Sequence, residues 1–180
     1  MEDADLHQLL ILTHRGDRRA AGRLHALIAA RLLAYARSLL RNDAAAEDIV
    51  QQVFLQMLSR SRREIAAVSD ALPWFIRLTR NAAFNQARSN ARSRHREHAR
   101  IVEPRADATD PHAIRGLRHA IGELDDDDRE LILLKHVAGL TFDQMALSLD
   151  ENRSTIASRY RSAITRLNTV LSHPAEAPHA

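Results

Sequence analysis

Arg77, Asn81, Phe84 and Arg88 recur at i, i+4, i+7 and i+11, with Arg80, Asn85 and Arg92 beside them. On a helix that spacing gathers cations, amides and one aromatic ring into a single stripe. The mixture suits an unpaired nucleic-acid strand, because guanidiniums follow phosphates, amides meet exposed base edges and a ring stacks on a base. A blander reading makes Phe84 a core residue and the arginines a solvated face. A second constellation begins at Thr141-Phe142-Asp143-Gln144, a capping box, and Phe142, Met145, Ala146 and Leu149 then repeat at i, i+3, i+4 and i+7. A turn at Asp150-Glu151-Asn152 and a helix from Arg153 to about Leu171 complete a helix-turn-helix pattern. The first helix is too short to stand alone; it braces the second, whose N-terminal residues can enter a major groove. Arg153, Arg159 and Arg161 supply cations there, and Ser154, Thr155 and Ser158 supply short hydrogen-bonding groups. Two helices packed for stability alone would give the same pattern.

Other candidate chemistry is thin. His95 and His98 have a metal-compatible i, i+3 spacing but no third ligand nearby, and the Asp125 to Asp128 run is explained by helix capping and dipole compensation. With zero Cys there are no disulfides, thiolate metal sites or cysteine nucleophiles. No Gly-rich phosphate loop, nucleophile elbow or carboxylate pair stands out, so neither an enzymatic activity nor a cofactor is expected.

These residues need helices to position them. The 180 residues are 45% hydrophobic with five Gly, five Pro and seven aromatics, a composition short of turn glycines and β-formers, so an all-α fold is expected. Leu6, Leu9, Leu10 and Thr13 mark a first helix, ended by Gly16-Asp17. A second carries Leu24, Leu27, Ile28, Leu32, Tyr35, Leu39 and Leu40, and Asn42 or Asp43 caps a third. In that third helix Ile49, Val50, Val53, Phe54, Met57 and Leu58 are assigned to the inner side, and Asp48, Gln51, Gln52, Leu55 and Gln56 to the outer. A polar stretch from Ser59 to Asp70 separates it from a fourth helix, Trp74 to about Arg96, with Pro73 in its first turn. The expected organisation is one domain over 1–100, an extended acidic Pro-containing linker over 101–112, a second domain over 113–173 and a disordered tail over 174–180. Within the second domain, 113–124 is helical, Asp125 caps the next helix and Gly139 ends it.

The formal net charge of +3 is unevenly spread: residues 51–100 hold ten Arg against three acids, and 101–130 hold four Arg against nine. Such a split suggests a polyanion-facing segment followed by an acidic connector. No apolar run approaches the roughly 20 residues of a membrane span, and Met1-Glu2-Asp3-Ala4-Asp5 is no basic-then-apolar leader, so a cytoplasmic location without membrane insertion is expected.

The order of elements resembles the extracytoplasmic-function (ECF) group of the sigma-70 family of RNA polymerase sigma factors. Two stretches carry a region-two likeness: Ala46-Glu-Asp-Ile-Val-Gln-Gln-Val-Phe-Leu55 and Trp74-Phe-Ile-Arg-Leu-Thr-Arg-Asn81. Leu124-Asp125 through Arg129-Glu130, Gly139-Leu-Thr-Phe142, Thr155-Ile156 and Ser158-Arg159 are similar to region four. The resemblance implies a sigma region 2 helical bundle and a sigma region 4 helix-turn-helix, with core RNA polymerase and promoter DNA, single-stranded and duplex, as partners. It further implies that Asp48, Gln51, Gln52 and Leu55 dock on a coiled coil of the largest polymerase subunit. Arg77, Arg80, Asn81, Phe84, Asn85 and Arg88 would capture the melted minus-ten element. Asn152, Arg153, Ser154, Thr155, Ala157, Ser158, Arg159, Arg161 and Ser162 would read the minus-thirty-five duplex. Members of the family often have an anti-sigma partner, although no residue here identifies one. Two departures stand out: Asp150-Glu151-Asn152-Arg153-Ser154 replaces the family's Gly- and Pro-containing lead-in, and Ala157 occupies a position that is commonly basic. The loop from Ser59 to Leu72 shows no specificity motif. The alternative from another class is a self-sufficient helix-turn-helix regulator whose first domain dimerises or senses a ligand.

Overall fold

The computed structural model describes residues 2–40, 42–94, 117 and 120–172. Among them are eight helices: α1 (Glu2–His14), α2 (Arg18–Leu40), α3 (Asp43–Ser59), α4 (Arg62–Ala66), α5 (Ala71–Arg94), α6 (Asp126–His136), α7 (Phe142–Leu149) and α8 (Arg153–Ser172). Residues 120–123 are also helical. The linker at 101–112, half of the helix expected over 113–124, His95, His98 and the tail lie outside the described residues.

Local chemistry accounts for the boundaries. Asn42 accepts from the Ala45 amide at 3.0 Å and caps α3, while Asp125 accepts from the Asp128 amide at 2.8 Å and caps α6. Asp17 does the same for α2, taking the Arg19 and Ala20 amides at 2.8 and 3.1 Å. At the other ends, α1 gives way to Gly16 with φ +94° and α6 to Gly139 with φ +71°, the left-handed conformation that a residue lacking Cβ adopts without penalty. Asp150 makes the same left-handed turn, at φ 57°, between α7 and α8.

One correction concerns the stretch read as polar loop. Residues 61–66 form a capped helical turn: Ser61 accepts from the Glu64 amide at 3.3 Å, and the Glu64 carboxylate accepts from the Ser61 amide at 2.8 Å. Ile65, buried, pins that turn to the bundle. The following helix begins earlier than expected, at Ala71, with Asp70 accepting from the Leu72 amide at 3.1 Å. A second correction concerns Leu58, assigned to the inner side of α3 but 53% exposed. Leu58 stands seven residues after Gln51 and three after Leu55, so two helical turns return it to their outer face.

Helices α1, α2, α3 and α5 pack around Leu10, Leu24, Ile28, Leu32, Tyr35, Ile49, Met57, Leu72, Phe75 and Ile76, all fully buried. This core continues into the C-terminal helices through Leu131, Leu133, Leu134, Leu140, Met145 and Ile156. A smaller cluster of Ala120, Leu124, Ile132, Ala163 and Leu167 lies on the other side of α6. Five consecutive residues of α6, Glu130 to Leu134, are therefore buried, more than one helical stripe can hide. The helix is sandwiched, with α8 on one side and α2 on the other, and α7 rests against α5. No described helix is long and apolar enough to cross a membrane.

Candidate nucleic-acid interface

Helix α5 turns Phe75, Ile76, Leu78, Thr79, Ala82 and Ala83 inward, which leaves Arg77, Asn81, Phe84, Asn85 and Arg88 exposed on one side. The sequence-predicted stripe therefore exists as a surface, and Phe84, 38% exposed, is not core. Its ring lies 4.8 Å from the Arg80 guanidinium, so cation and aromatic are already paired. Two clefts flank Asn81. One, of about 600 Å³, is walled by Trp74, Arg77 and Val68 with Arg60 and Glu64; the other, of about 440 Å³, adds Gln52, Gln56 and Asn85. Both fall within the roughly 300–1,000 Å³ of small-molecule sites, and each mixes amide edges with apolar wall.

Arg60, Glu64, Gln56 and Trp74 were not among the residues singled out from sequence as strand-contacting. The signal that could have found two of them is the Ser61-x-x-Glu64 box, which fixes α4 against the end of α3 and so aims Arg60 and Glu64 at Asn81. Arg60 donates to Glu64 at 3.0 Å. Hydrogen bonds from the Ser61 backbone, then from the Ser61 hydroxyl and Arg60, hold the Glu64 carboxyl below the usual glutamate range, so it stays anionic.

Arg80 already has an acidic partner within the fold. Instead of standing free beside Asn81, it donates from Nε and Nη2 to the two carboxylate oxygens of Glu130, the second at 2.9 Å. The hydrogen bond to Glu130 raises the guanidinium's already high pKa. Tyr35 donates its hydroxyl to the same carboxylate at 3.2 Å, and burial followed by the Glu130 charge pushes the phenol well above its usual value.

The helix-turn-helix is built as its pattern suggests. Thr141 accepts from the Gln144 amide at 3.2 Å, and the Gln144 carbonyl oxygen takes the Thr141 amide at 3.1 Å. Ile156, Ala163 and Leu167 anchor α8, and Tyr160 closes the inner side with an edge-on contact to Phe142 at 5.3 Å. Asn152, Arg153, Ser154, Thr155, Ser158, Arg161 and Ser162 are exposed together; Ala157 and Arg159 are half-buried. Charge on this face is partly offset within the fold. Arg153 pairs with Asp143 at 3.1 Å, and Arg159 with Glu151 at 2.7 Å and Asp127 at 3.4 Å. Arg166 is held by Asp125 at 2.9 Å and by Asp128. The aspartate run thus does more than compensate a dipole, since it also orients two arginines of α8. Arg161 bonds only the Ala157 carbonyl, at 3.2 Å, and has no acidic partner among the described residues.

On α3, Asp48, Gln51, Gln52 and Leu55 are exposed, and Leu55 is 67% exposed. Leu58 extends that strip, which makes an apolar pair ringed by amides rather than a lone leucine.

A helical bundle with a polar-aromatic stripe, followed by a capped helix-turn-helix, has the make-up of a nucleic-acid-binding protein, and comparison with known proteins supplies the class. The family models for sigma-70 region 2 and sigma-70 region 4 match residues 26–93 and 114–167. The chain belongs to the sigma-70 family, in its ECF group of RNA polymerase sigma factors. Among its relatives is the ECF RNA polymerase sigma factor SigK of Mycobacterium tuberculosis, 26% identical over 176 residues that cover 93% of this chain and 94% of the relative. SigK of Mycolicibacterium vanbaalenii is 29% identical over 176 residues, 93% of this chain and 90% of the relative. Among solved structures, CnrH in complex with the cytosolic domain of CnrY matches with a TM-score of 0.69 at 20% identity, covering 95% of this chain and 99% of that one. The sigma factor RpoE from Bartonella quintana, in complex with the anti-sigma factor NepR, matches with a TM-score of 0.68 at 23% identity over 85% of this chain and 97% of that one. Members of the family are transcription initiation factors that bind core RNA polymerase and promoter DNA.

Proposed function

We propose the following division of labour for this sigma factor. Residues 1–100 form the domain that holds core polymerase and the opened strand, 101–112 link it to the rest, and 113–173 form the domain that grips upstream duplex. The exposed strip of Asp48, Gln51, Gln52 and Leu55, lengthened by Leu58, is the docking face for the polymerase largest subunit. Its apolar centre within an amide rim has the make-up of a protein interface, not of a phosphate-binding one. On α5, Arg77, Arg80 and Arg88 follow the backbone of the melted minus-ten strand, Asn81 and Asn85 meet base edges, and Phe84 offers a stacking ring. The two clefts beside Asn81 receive bases turned out of the stack, with Trp74 and the Arg60-Glu64 pair as walls. At the other end, Ser154, Thr155 and Ser158 enter the minus-thirty-five major groove, with Arg153, Arg159 and Arg161 at base edges and phosphates and Asn152 and Ser162 at the flanks. Ala157 leaves room for closer approach without supplying a charge.

The observation that carries this reading is the coexistence, on one chain, of a clefted polar-aromatic stripe, a helix-turn-helix and a separate polar-rimmed apolar strip on α3. A self-sufficient regulator would need the second surface but neither of the others. The role is one of binding, with bond-making left to the polymerase, and it is exercised in the cytoplasm. An inhibitory protein partner belongs to the proposal, because CnrH is held by the cytosolic domain of CnrY and RpoE by NepR in their structures. The test is co-purification with core polymerase after Gln51, Gln52 and Leu55 are changed to Ala: loss is expected, and full retention overturns the docking assignment.

A further inference from the structure

The end of the bundle where α1 turns into α2 also receives the end of α3. The His14 ring donates from Nε2 to the carbonyl oxygen of Arg60 at 2.6 Å, and α1 packs against α4. Gly16 makes the turn in its left-handed conformation, and Asp17 caps α2 so that Arg18 and Arg19 open it. Arg15 precedes the turn, and the Ser61 cap puts Arg62 and Arg63 at the start of α4. Residues 15–19 and 60–64 thus bring six arginines to one corner with only two acids, Asp17 and Glu64. Both acids are engaged, Asp17 by the α2 amides and Glu64 by the Ser61 amide and Arg60. The other five arginines are exposed and have no carboxylate at ion-pair distance among the described residues.

A solvated face accounts for scattered arginines but not for this placement. Arg18 and Arg19 stand in the first turn of α2, which holds no acid, and a cation there opposes the helix dipole. A bound anion relieves that repulsion. The corner's exposed side chains include no large apolar one, unlike the strip of Leu55 and Leu58, so it lacks the centre of a protein interface. It is also continuous with the strand surface, because Arg60 and Glu64 wall both clefts beside Asn81. We propose that this corner binds DNA phosphates, gripping the backbone of the captured strand where it runs on from those clefts. Guanidiniums suit the task, since each fork can take two oxygens of one phosphate. The proposal rests on reading α5 as the strand surface and extends that surface to the turn between α1 and α2 and to the start of α4.

The test is fluorescence anisotropy of assembled holoenzyme on a fluorescein-labelled single strand from a promoter it transcribes, with salt varied. Arg18→Ala with Arg19→Ala, and Arg62→Ala with Arg63→Ala, each remove two contacts. At about 0.7 per phosphate for single strands, each pair should flatten the slope of log affinity against log salt by about 1.4, so the affinity gained between about 200 and 50 mM salt shrinks about sevenfold. Arg62→Lys with Arg63→Lys keeps the charge and should restore most of the slope. Arg31→Ala, exposed on α2 more than three helical turns beyond Arg19, should leave it unchanged. Trimming the strand to the element that the clefts hold should erase the difference between wild type and both alanine pairs. Wild-type slopes in both pairs, folded and bound to core, overturn the proposal. A loss confined to affinity for core polymerase also overturns it, by making the corner a protein contact. The strand reading is judged apart, by Asn81→Ala with Phe84→Ala on the trimmed strand: intact binding there refutes the α5 reading, while the slopes of the arginine pairs still decide whether the corner holds phosphates.

Discussion

Leu55→Ala isolates the polymerase-docking strip. Leu55 is 67% exposed, so its side chain contributes little to the bundle, and thermal stability should fall by less than about 0.5 kcal/mol. On docking, the truncation removes apolar surface equivalent to about three carbons at about 0.8 kcal/mol each. Two-thirds of that is open to be covered, giving a loss of about 1.6 kcal/mol, or roughly a 15-fold rise in Kd. Leu58→Ala, from 53% exposure, should cost slightly less, and the pair together should approach the sum if each inserts separately. The assay is a titration of labelled sigma into core polymerase, with melting of the free protein as control. Met57, one residue away and fully buried, provides the contrast: Met57→Ala should destabilise the fold by about 2–5 kcal/mol. Unchanged polymerase affinity for Leu55→Ala, or an affinity loss that tracks lowered stability, would refute the reasoning.

Other outcomes follow from individual residues. Arg161→Ala should weaken binding to all promoter duplexes alike and flatten the slope of log affinity against log salt by about 0.9, measured by anisotropy of holoenzyme on duplex DNA. Asn42→Ala removes the side-chain cap of α3 and should cost about 1 kcal/mol in urea unfolding. Tyr35 carries a raised pKa, so its stabilising contribution is fully present below about pH 10 and lost as pH climbs from there through the folded value. Tyr35→Phe should therefore soften the fall in stability over that alkaline range. Glu64 titrates in the opposite sense: its cap on α4 is present above about pH 4.3 and lost only as pH drops through its lowered folded value, which the chemical shift of the Ser61 amide should report.

Much of this fold was legible in the sequence because its helices announce themselves locally. Asn42, Asp125 and the Thr141-Gln144 box are caps with side chains in the expected bonds, and Gly139 stands where a left-handed residue ends α6. The α8 pattern separated Ile156, Ala163 and Leu167 from Ser154, Ser158 and Arg161 because a 3.6-residue period leaves little choice. Helix α4 was missed since five residues with one apolar anchor, Ile65, have no period to detect. Leu58 was misplaced because an apolar residue at the edge of a stripe is ambiguous until a neighbour covers it or does not. The closure of α6 on α2 and α5 left no local trace at all: Glu130 looks like any solvated acid, and only its distant partners, Tyr35 and Arg80, make it a buried one. Likewise the aspartate run satisfied a dipole argument completely, which hid its pairing with Arg159 and Arg166.

The central claim is that this chain gives core RNA polymerase a promoter start site. Run-off transcription with purified core polymerase lacking any sigma subunit, on a library of promoter fragments, tests it most directly. The account predicts RNA with a single defined 5′ end on a subset of fragments, only when both protein and core are present. RNA of random ends, or none with any matched core enzyme, would contradict it.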